Sequence, residues 1–330
     1  MKPKVFIAKP IPQEVEDYIG KYCDYKIWTE EVKIPQEILL KEIADVDGLM
    51  ISKWNVTDEF LDHAPNLKII SNVAAGYDGF DIEVMKKRNI LGTNTPNVLD
   101  DSVADLAMGL IIMASRKLGK LNQYVKNGEW HTLDDKEFLG QDVHHSTLGL
   151  IGMGNIGEKI VKRATLGFDM NVIYHNRTRR PDIEQKYGVV YSDMENLLTT
   201  SDFVLVMVPL NSDTHGLIGE KEFNLMKPTS FFFNCSRGKI VRENDLINAL
   251  REGKIRGAGL DVYEIEPVHK DNPLLKMDNV VTMPHMGSAT EKTRFDMAMR
   301  AAENLIAGVT GQEPPNVVKE LQDLVKKGEM

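Results

Sequence analysis

Three side chains of complementary chemistry, Arg237, Glu266 and His285, follow apolar, strand-like runs in the second half of the chain. Residues just past the carboxyl ends of parallel strands line the ligand crevice of an open α/β sheet. There, a carboxylate can orient an imidazole, and the imidazolium can give a proton to a carbonyl oxygen. A guanidinium beside them can hold a neighbouring carboxylate. The residue types predict acid/base chemistry at a carbonyl, while the spacing leaves open whether the three side chains meet.

A G-x-G-x-x-G run at residues 152–157 follows the apolar residues 147–151 and opens a segment of helical character. This order of strand, glycine run and helix is the dinucleotide-binding fingerprint. Gly152 permits the tight turn, Gly154 permits close approach of the pyrophosphate, and Gly157 lets the helix pack on the strand. The N-terminus of the helix then faces the phosphates. We therefore expect this turn to bind a dinucleotide.

The next apolar run covers residues 170–175, and the residues that follow it decide which dinucleotide fits. An NAD-preferring site usually places Asp or Glu here, to accept hydrogen bonds from the ribose hydroxyls. This chain has Asn176 followed by Arg177, with Arg179 and Arg180 close by. Without the carboxylate, a 2′-phosphate is not repelled, and a guanidinium can bind that phosphate bidentately. The segment favours NADP(H) and leaves NAD(H) open.

Apolar runs that alternate with helical stretches must position these residues. Strands are expected at residues 5–8, 48–52, 68–73, 90–93, 147–151, 170–175, 203–208, 230–235, 258–262 and 279–283. Helical stretches are expected at residues 13–22, 57–64, 100–117, 156–166, 290–307 and 317–327. Strands separated by helices indicate parallel sheets with both faces covered. A length of 330 residues suits two such α/β units at roughly 150 residues each.

Composition excludes several classes of protein. Lys and Arg total 40 against 49 Asp and Glu, a net charge of −9, which argues against a broad nucleic-acid surface. Cys23 and Cys235 are too few for a disulfide framework and lack the spacing of a zinc site, so no metal is expected. The longest apolar run, residues 106–114, is too short to span a membrane. We expect a soluble, cytoplasmic protein without a membrane or nucleic-acid partner.

Eight segments together closely resemble the D-isomer-specific 2-hydroxyacid dehydrogenase family, and especially its glyoxylate/hydroxypyruvate reductase branch. They are the glycine run and residues 72–78, 94–96, 100–106, 209–214, 234–238, 259–267 and 284–289. The resemblance implies an α/β fold of two Rossmann-like, doubly wound parallel-sheet domains with an active-site cleft between them. It implies a flavodoxin-like substrate-binding domain at residues 1–99 and 286–330, and a dinucleotide-binding Rossmann domain at residues 100–285.

The resemblance also assigns roles to individual residues. His285 becomes the catalytic acid/base, Glu266 its partner and Arg237 the arginine that binds substrate, while the backbone amides of Ala75 and Gly76 bind the substrate carboxylate. The expected cofactor-binding residues are Gly152, Gly154, Asn155, Ile156, Gly157, Asn176, Arg177, Thr178, Val208, Pro209, Thr214, Cys235, Ser236, Asp261 and Gly287. A homodimer is implied, with the helix at residues 100–117 in its interface.

The implied activity is reduction of glyoxylate or hydroxypyruvate to the D-2-hydroxy acid with NAD(P)H. A 2-ketogluconate reductase resembles this branch so closely that the motifs do not separate the two. Lys53 and Trp54 follow a strand of the first unit, and their role in choosing between short and long acids stays open. A protein of another class, a corepressor that senses NAD(P)H, is the third alternative, and the intact set of Arg237, Glu266 and His285 favours catalysis over it.

Overall fold

The computed structural model describes residues 1–131 and 136–327, and the chain divides into two compact units. Unit 1 comprises Met1–Leu99 and Ala289–Met330, and unit 2 comprises Asp100–Ser288. The boundary between unit 2 and the C-terminal part of unit 1 therefore falls after Ser288. The family resemblance places this boundary after residue 285. The difference arises because residues 286 and 287 are tied to Asp261 of unit 2 by hydrogen bonds.

Helices and strands alternate along both units. The strands of the described residues are β1 (Lys4–Ile7), β2 (Asp24–Ile27), β3 (Gly48–Ile51), β4 (Ile69–Asn72), β5 (Leu91–Thr93), β6 (Thr147–Ile151), β7 (Asn171–His175), β8 (Val190–Tyr191), β9 (Phe203–Val206), β10 (Phe231–Asn234), β11 (Gly257–Leu260) and β12 (Val280–Thr282). The helices are α1 (Gln13–Tyr22), α2 (Gln36–Glu42), α3 (Asp58–Asp62), α4 (Ile82–Lys87), α5 (Asp100–Ser115), α6 (Leu118–Lys126), α7 (Asn155–Phe168), α8 (Pro181–Tyr187), α9 (Met194–Thr200), α10 (Glu220–Leu225), α11 (Glu243–Arg251), α12 (Glu291–Val309) and α13 (Gln322–Lys327).

Unit 1 is built on a five-stranded parallel sheet in the order β2-β1-β3-β4-β5. Its central strands are short and almost wholly buried, as parallel strands covered on both faces must be. On one face, α12 packs closely, because Gly308 lies against Ile69 and the Ser71 hydroxyl donates to the carbonyl of Ala301 at 2.8 Å. The other face holds an apolar core that includes Leu49 and Ile70.

Unit 2 is built on a seven-stranded parallel sheet in the order β12-β11-β10-β9-β6-β7-β8. Alternate residues of a strand enter different cores, as the two-residue period requires. Leu205 packs with residues of α5 and α7, whereas Val204 and Val206 pack with residues of α9, α10 and α11. The predicted α/β class with two parallel-sheet domains is confirmed. Across the described residues, no helix combines the length and apolarity needed to cross a membrane.

Several boundaries differ from those that the sequence predicts. The helix expected at residues 100–117 ends at Ser115, and Lys117 takes a positive φ of 52°. The helix expected at residues 317–327 begins only at Gln322, after a single 3-10 turn. The strand Asp24–Ile27 is missing from the predicted set, because it is a short edge strand of mixed polarity whose residues are at most partly buried.

Candidate active site

Three neighbouring strands end in register at one edge of the unit 2 sheet. Asn234 of β10 pairs with Leu260 of β11, and Leu260 pairs with Thr282 of β12, all in parallel. The segments that follow these strands therefore leave the sheet side by side at its carboxyl edge. Residues 235–238, 261–267 and 283–287 are these segments, and each holds one member of the predicted catalytic set.

His285 and Glu266 are joined by a hydrogen bond. Nδ1 of His285 lies 2.7 Å from Oε2 of Glu266, and the two side chains are 27% and 28% exposed. The second carboxylate oxygen, Oε1, accepts from the backbone amide of Tyr263 at 3.3 Å. With Nδ1–H donated to the carboxylate, Nε2 is the imidazole nitrogen that can exchange a proton with a ligand.

The loop that carries His285 is held by Asp261, a residue that is only 1% exposed. Its two carboxylate oxygens accept from the amides of Met286 at 2.7 Å and Gly287 at 2.9 Å. His285 itself has a φ of 58°, a conformation that residues other than glycine seldom adopt. Burial raises the pKa of Asp261, and these two hydrogen bonds act against that rise. Asp261 thus holds the loop in this unusual conformation.

The predicted binding of the cofactor by Asp261 therefore competes with hydrogen bonds inside the chain. Both of its oxygens already accept hydrogen bonds from the backbone of the His285 loop. The structure gives Asp261 a positioning role that the sequence does not reveal, because residues 261 and 286 are distant along the chain. Its contact with a cofactor stays a prediction.

Arg237 lies on a tightly fixed loop. The buried side chain of Asn234 donates to the carbonyl of Arg237 at 2.9 Å and accepts from the amide and hydroxyl of Ser236 at 3.0 and 2.9 Å. A Cβ on Gly238 would lie 1.8 Å from the carbonyl carbon of Tyr263, so only glycine fits here. This close approach brings the loop of Arg237 against the backbone of the segment that contains Glu266.

The glycine run forms a tight turn between β6 and α7. Gly152 has a φ of 108°, and a Cβ on it would lie 2.5 Å from the carbonyl oxygen of Met207. Gly154 precedes α7 and provides no side-chain cap, and a Cβ on it would meet nothing within 4 Å. An uncapped helix N-terminus that faces open space fits the pyrophosphate of a dinucleotide. The binding of phosphate by this turn stays a prediction with which its geometry agrees.

The arginine-rich segment after β7 is ordered by internal contacts. Asn176 accepts from the amide of Met153 at 3.3 Å and donates to the carbonyl of Thr178 at 2.7 Å. Arg179 binds both oxygens of Glu184, and Arg180 binds both oxygens of Asp182.

Arg177 differs from these two neighbours. It is exposed and has neither a salt bridge nor a hydrogen-bond partner for its side chain within residues 1–131 and 136–327. Of the three arginines, Arg177 is therefore the one whose guanidinium the described chain leaves available to a phosphate.

Of the other predicted cofactor residues, Asn155, Ile156 and Gly157 lie in the first turn of α7, and four more follow β9 or β10. Val208 and Pro209 follow β9, and the methyl Cγ1 of Val208 lies beside Gly152. The Thr214 hydroxyl donates to the carbonyl of Pro209 at 2.6 Å and so closes the turn that begins there. Cys235 is buried near Asp261, and burial raises the pKa of its thiol. Its role is therefore apolar packing rather than thiolate chemistry.

In unit 1, Ala75 and Gly76 lie in the loop that follows β4. Their carbonyls accept from the side-chain amides of Asn94 at 2.6 Å and Asn72 at 2.8 Å, respectively. Within the part of the chain that the structure describes, no acceptor is bonded to the backbone N–H of either residue. The loop thus presents two amide donors, which is what the predicted role in carboxylate binding requires.

Comparison with known proteins gives consistent matches. The sequence model of a family described as D-isomer specific 2-hydroxyacid dehydrogenase, NAD binding domain, matches residues 108–287. A glyoxylate reductase of Thermococcus litoralis is 45% identical over 96% of this chain and 97% of its own length. A solved structure of a protein from Thermus thermophilus has a TM-score of 0.89 and 35% identity, covering 96% of this chain and 99% of that one. An NADPH-dependent glyoxylate/hydroxypyruvate reductase of Sinorhizobium meliloti, solved with NADP and malonate, has a TM-score of 0.85 and 30% identity, covering 97% of this chain and 98% of that one.

Proposed function

Because this chain belongs to the D-isomer-specific 2-hydroxyacid dehydrogenase family, and is thereby an NAD(P)-dependent oxidoreductase, we propose that it reduces glyoxylate or hydroxypyruvate to the D-2-hydroxy acid. The observation that carries the proposal is the Glu266–His285 hydrogen bond at the sheet edge where Arg237 also lies. The similar proteins named for these two substrates support it.

Each residue of the set has a defined task in the proposed mechanism. A reduced nicotinamide dinucleotide, which the turn at residues 152–157 would hold, would supply a hydride to C2 of the oxo acid. His285 gives the proton from Nε2 to the carbonyl oxygen, so that the carbonyl becomes a hydroxyl. Glu266 stabilises the imidazolium and fixes the ring, and Arg237 binds the substrate carboxylate. In the other unit, the amides of Ala75 and Gly76 are the proposed carboxylate donors.

A substrate panel tests the proposal. We expect consumption of NADPH, followed by its absorbance, with glyoxylate and with hydroxypyruvate, and a weaker rate with 2-ketogluconate. A higher kcat/KM with 2-ketogluconate would reassign the substrate to the six-carbon acid. Absence of turnover with every 2-oxo acid, despite NADPH binding, would favour the corepressor alternative.

We infer that NADP(H) is preferred over NAD(H), because Arg177 has no partner among the described residues and Asn176 stands where an acid would repel the 2′-phosphate. The variant Arg177→Gln is expected to lower kcat/KM for NADPH by about tenfold or more and to leave that for NADH nearly unchanged. Arg179→Gln is the matched control, since Arg179 is already bound to Glu184. An equal loss in both variants, or no loss in Arg177→Gln, would contradict the assignment.

Asn176→Asp provides a complementary variant. The new carboxylate would repel a 2′-phosphate and could accept from a ribose hydroxyl, so the ratio of kcat/KM for NADPH to that for NADH should fall. A ratio that stays constant would refute the role of this position in cofactor choice.

The homodimer and the cytoplasmic location stay predictions. The family resemblance implies that α5 lies in the dimer interface. Support comes from the adjacent α6, in which Leu118 and Val125 are exposed, and from exposed Trp130 just beyond it. Exposed apolar side chains grouped in this way are typical of protein–protein interfaces.

A further inference from the structure

One buried tyrosine binds the chain segment that follows β7. Tyr174 is the fourth residue of this strand, and its side chain is fully buried, at 0% exposure. A buried hydroxyl without a hydrogen-bond partner would cost free energy. The Tyr174 hydroxyl has two partners, Arg180 and Glu184, and both follow β7 in the chain. The only polar atom of this side chain is therefore used to fix the residues beyond the strand.

The hydroxyl of Tyr174 accepts one hydrogen bond and donates another. It accepts from the backbone amide of Arg180 at 2.7 Å and donates to Oε1 of Glu184 at 2.7 Å. Burial raises the pKa of Tyr174, the amide of Arg180 lowers it, and the hydrogen bond to Glu184 raises it again. The phenol therefore keeps its proton at neutral pH, and it can make both hydrogen bonds.

Arg180 connects the end of the arginine-rich segment to the glycine run. Its guanidinium donates to the carbonyl of Met153 at 3.3 Å and binds the two oxygens of Asp182 at 3.0 and 2.8 Å. Met153 is the residue between the first two glycines of the run, and it is buried. Arg180 is thus attached to the sheet through its amide and to the glycine run through its guanidinium.

The start of the segment is attached to the same residue of the glycine run. The side-chain oxygen of Asn176 accepts from the amide of Met153 at 3.3 Å, and its nitrogen donates to the carbonyl of Thr178 at 2.7 Å. The amide of Met153 is therefore bound to one end of the segment, and its carbonyl to the other end. Arg177 lies between these two fixed ends, and its side chain is exposed.

A loop that is fixed at both ends binds an anion better than a mobile loop. The entropy lost when a loop becomes ordered counts against binding, unless folding has already ordered that loop. A guanidinium must also lie at a short distance from a phosphate to form charge-assisted hydrogen bonds with it. NAD(H) has no 2′-phosphate, so it gains little from a fixed Arg177. The two attachments should therefore matter for NADP(H) and much less for NAD(H).

We propose that Tyr174 and Arg180 are positioning residues for the 2′-phosphate of NADP(H), and that both act through Arg177. Tyr174 fixes the backbone beyond Arg177 by accepting from the amide of Arg180. Arg180 fixes the same backbone against the glycine run by donating to Met153. The inference rests on the proposed preference for NADP(H), and it adds two residues that set the strength of that preference without binding the phosphate themselves.

Fluorescence titration with NADPH and with NADH tests the proposal in the absence of any substrate. Tyr174→Phe keeps the ring and removes only the hydroxyl, so the amide of Arg180 loses its acceptor. We expect the Kd for NADPH to rise about fivefold or more, and the Kd for NADH to stay within about twofold. A loss that reflects only a weakened fold would raise both Kd values together.

Tyr191→Phe is the matched control. The ring of Tyr191 lies edge-on to that of Tyr174, with the ring centres 5.5 Å apart. Its hydroxyl has no hydrogen bond to any other residue within residues 1–131 and 136–327. Removal of this hydroxyl should therefore leave the Kd values for NADPH and NADH unchanged.

Double variants separate positioning from direct contact with the phosphate. Tyr174→Phe and Arg180→Gln should each weaken NADPH binding in the unmodified chain, but neither should weaken it further in an Arg177→Gln background. Losses that multiply in the double variants would mean that these residues act independently of Arg177, and would overturn the proposal. The Arg180 side chain is 30% exposed, so Arg180→Gln should fold, and it decides the question alone if Tyr174→Phe does not.

Two further results distinguish a failure of this inference from a failure of the proposed cofactor preference. Equal Kd values for NADPH and NADH in the unmodified chain would contradict the preference, and the inference with it. A preference that Arg177→Gln abolishes but that Tyr174→Phe and Arg180→Gln leave unchanged would overturn the inference alone. An equal loss of affinity for both cofactors in Tyr174→Phe and Arg180→Gln would also overturn it, because both residues would then only support the fold.

Discussion

The variant His285→Ala is expected to reduce kcat for 2-oxo acid reduction by about 10²- to 10⁴-fold, the usual contribution of a positioned acid or base. The reason is that Nε2 of His285 is the proposed proton donor to the carbonyl oxygen, and alanine cannot replace it. Since the phosphate-binding turn at residues 152–157 is untouched, the Kd for NADPH should change little. Stopped-flow oxidation of NADPH measures the first quantity, and fluorescence titration measures the second.

His269→Ala is the matched control for this experiment. His269 also lies beside a carboxylate, with Nδ1 at 3.6 Å from Asp271, but the two side chains are 75% and 70% exposed. Its replacement should leave kcat within about twofold of that of the unmodified chain, because substitutions at exposed positions usually have small effects. If His285→Ala retained near-normal turnover, the proton would come from another group and the acid/base assignment would be wrong.

The variant Arg237→Gln should lower kcat/KM by about 10- to 150-fold, which corresponds to the loss of about 1.5–3 kcal/mol from hydrogen bonds to a charged group. KM should rise and kcat should fall together, because the guanidinium is used both when the carboxylate binds and during the reaction. Arg237→Lys keeps the charge but loses the planar fork, so an intermediate loss is expected. Steady-state kinetics with glyoxylate and hydroxypyruvate measures both effects.

Arg251→Gln serves as the control for charge, since Arg251 is an exposed arginine at the end of α11. Its kcat/KM should match that of the unmodified chain. A loss confined to thermal stability in Arg237→Gln, with kcat/KM unchanged, would show that Arg237 only supports the loop fixed by Asn234.

Much of the fold of this chain follows from its sequence, because uninterrupted apolar runs such as residues 203–206 and 231–233 are typical of buried parallel strands. The rule that ligand-binding residues follow such strands then indicated Arg237, Glu266 and His285. The structure adds the register that puts their segments side by side, and register depends on which strands are neighbours. Local periodicity does not contain that information.

The support around His285 could not be predicted in the same way. Asp261 holds the loop of residues 285–287 from another strand end, and Gly238 lets two loops touch through their backbones. Both effects join residues that are distant along the chain. A weak local signal existed for Asn234, because an Asn side chain often accepts from the backbone two residues further on and so closes a turn.

Sequence alone also gives an incomplete prediction for the arginine-rich segment at residues 176–180. Its composition predicts a phosphate site, but composition does not show which arginine is available. That choice depends on α8, whose first residues bring Asp182 and Glu184 back onto Arg180 and Arg179. Of Arg177, Arg179 and Arg180, only Arg177 then has no carboxylate partner within residues 1–131 and 136–327.

The rate of NADPH oxidation by glyoxylate in four forms of the chain tests most directly whether Glu266 and His285 act as one proton-donating pair. The forms are the unmodified chain, Glu266→Gln, His285→Ala and the double variant. If Glu266 acts through His285, the double variant should be no slower than His285→Ala alone, because residues that work as a unit are not additive. Independent losses that multiply in the double variant would contradict the pairing, and a fast His285→Ala enzyme would contradict the mechanism itself.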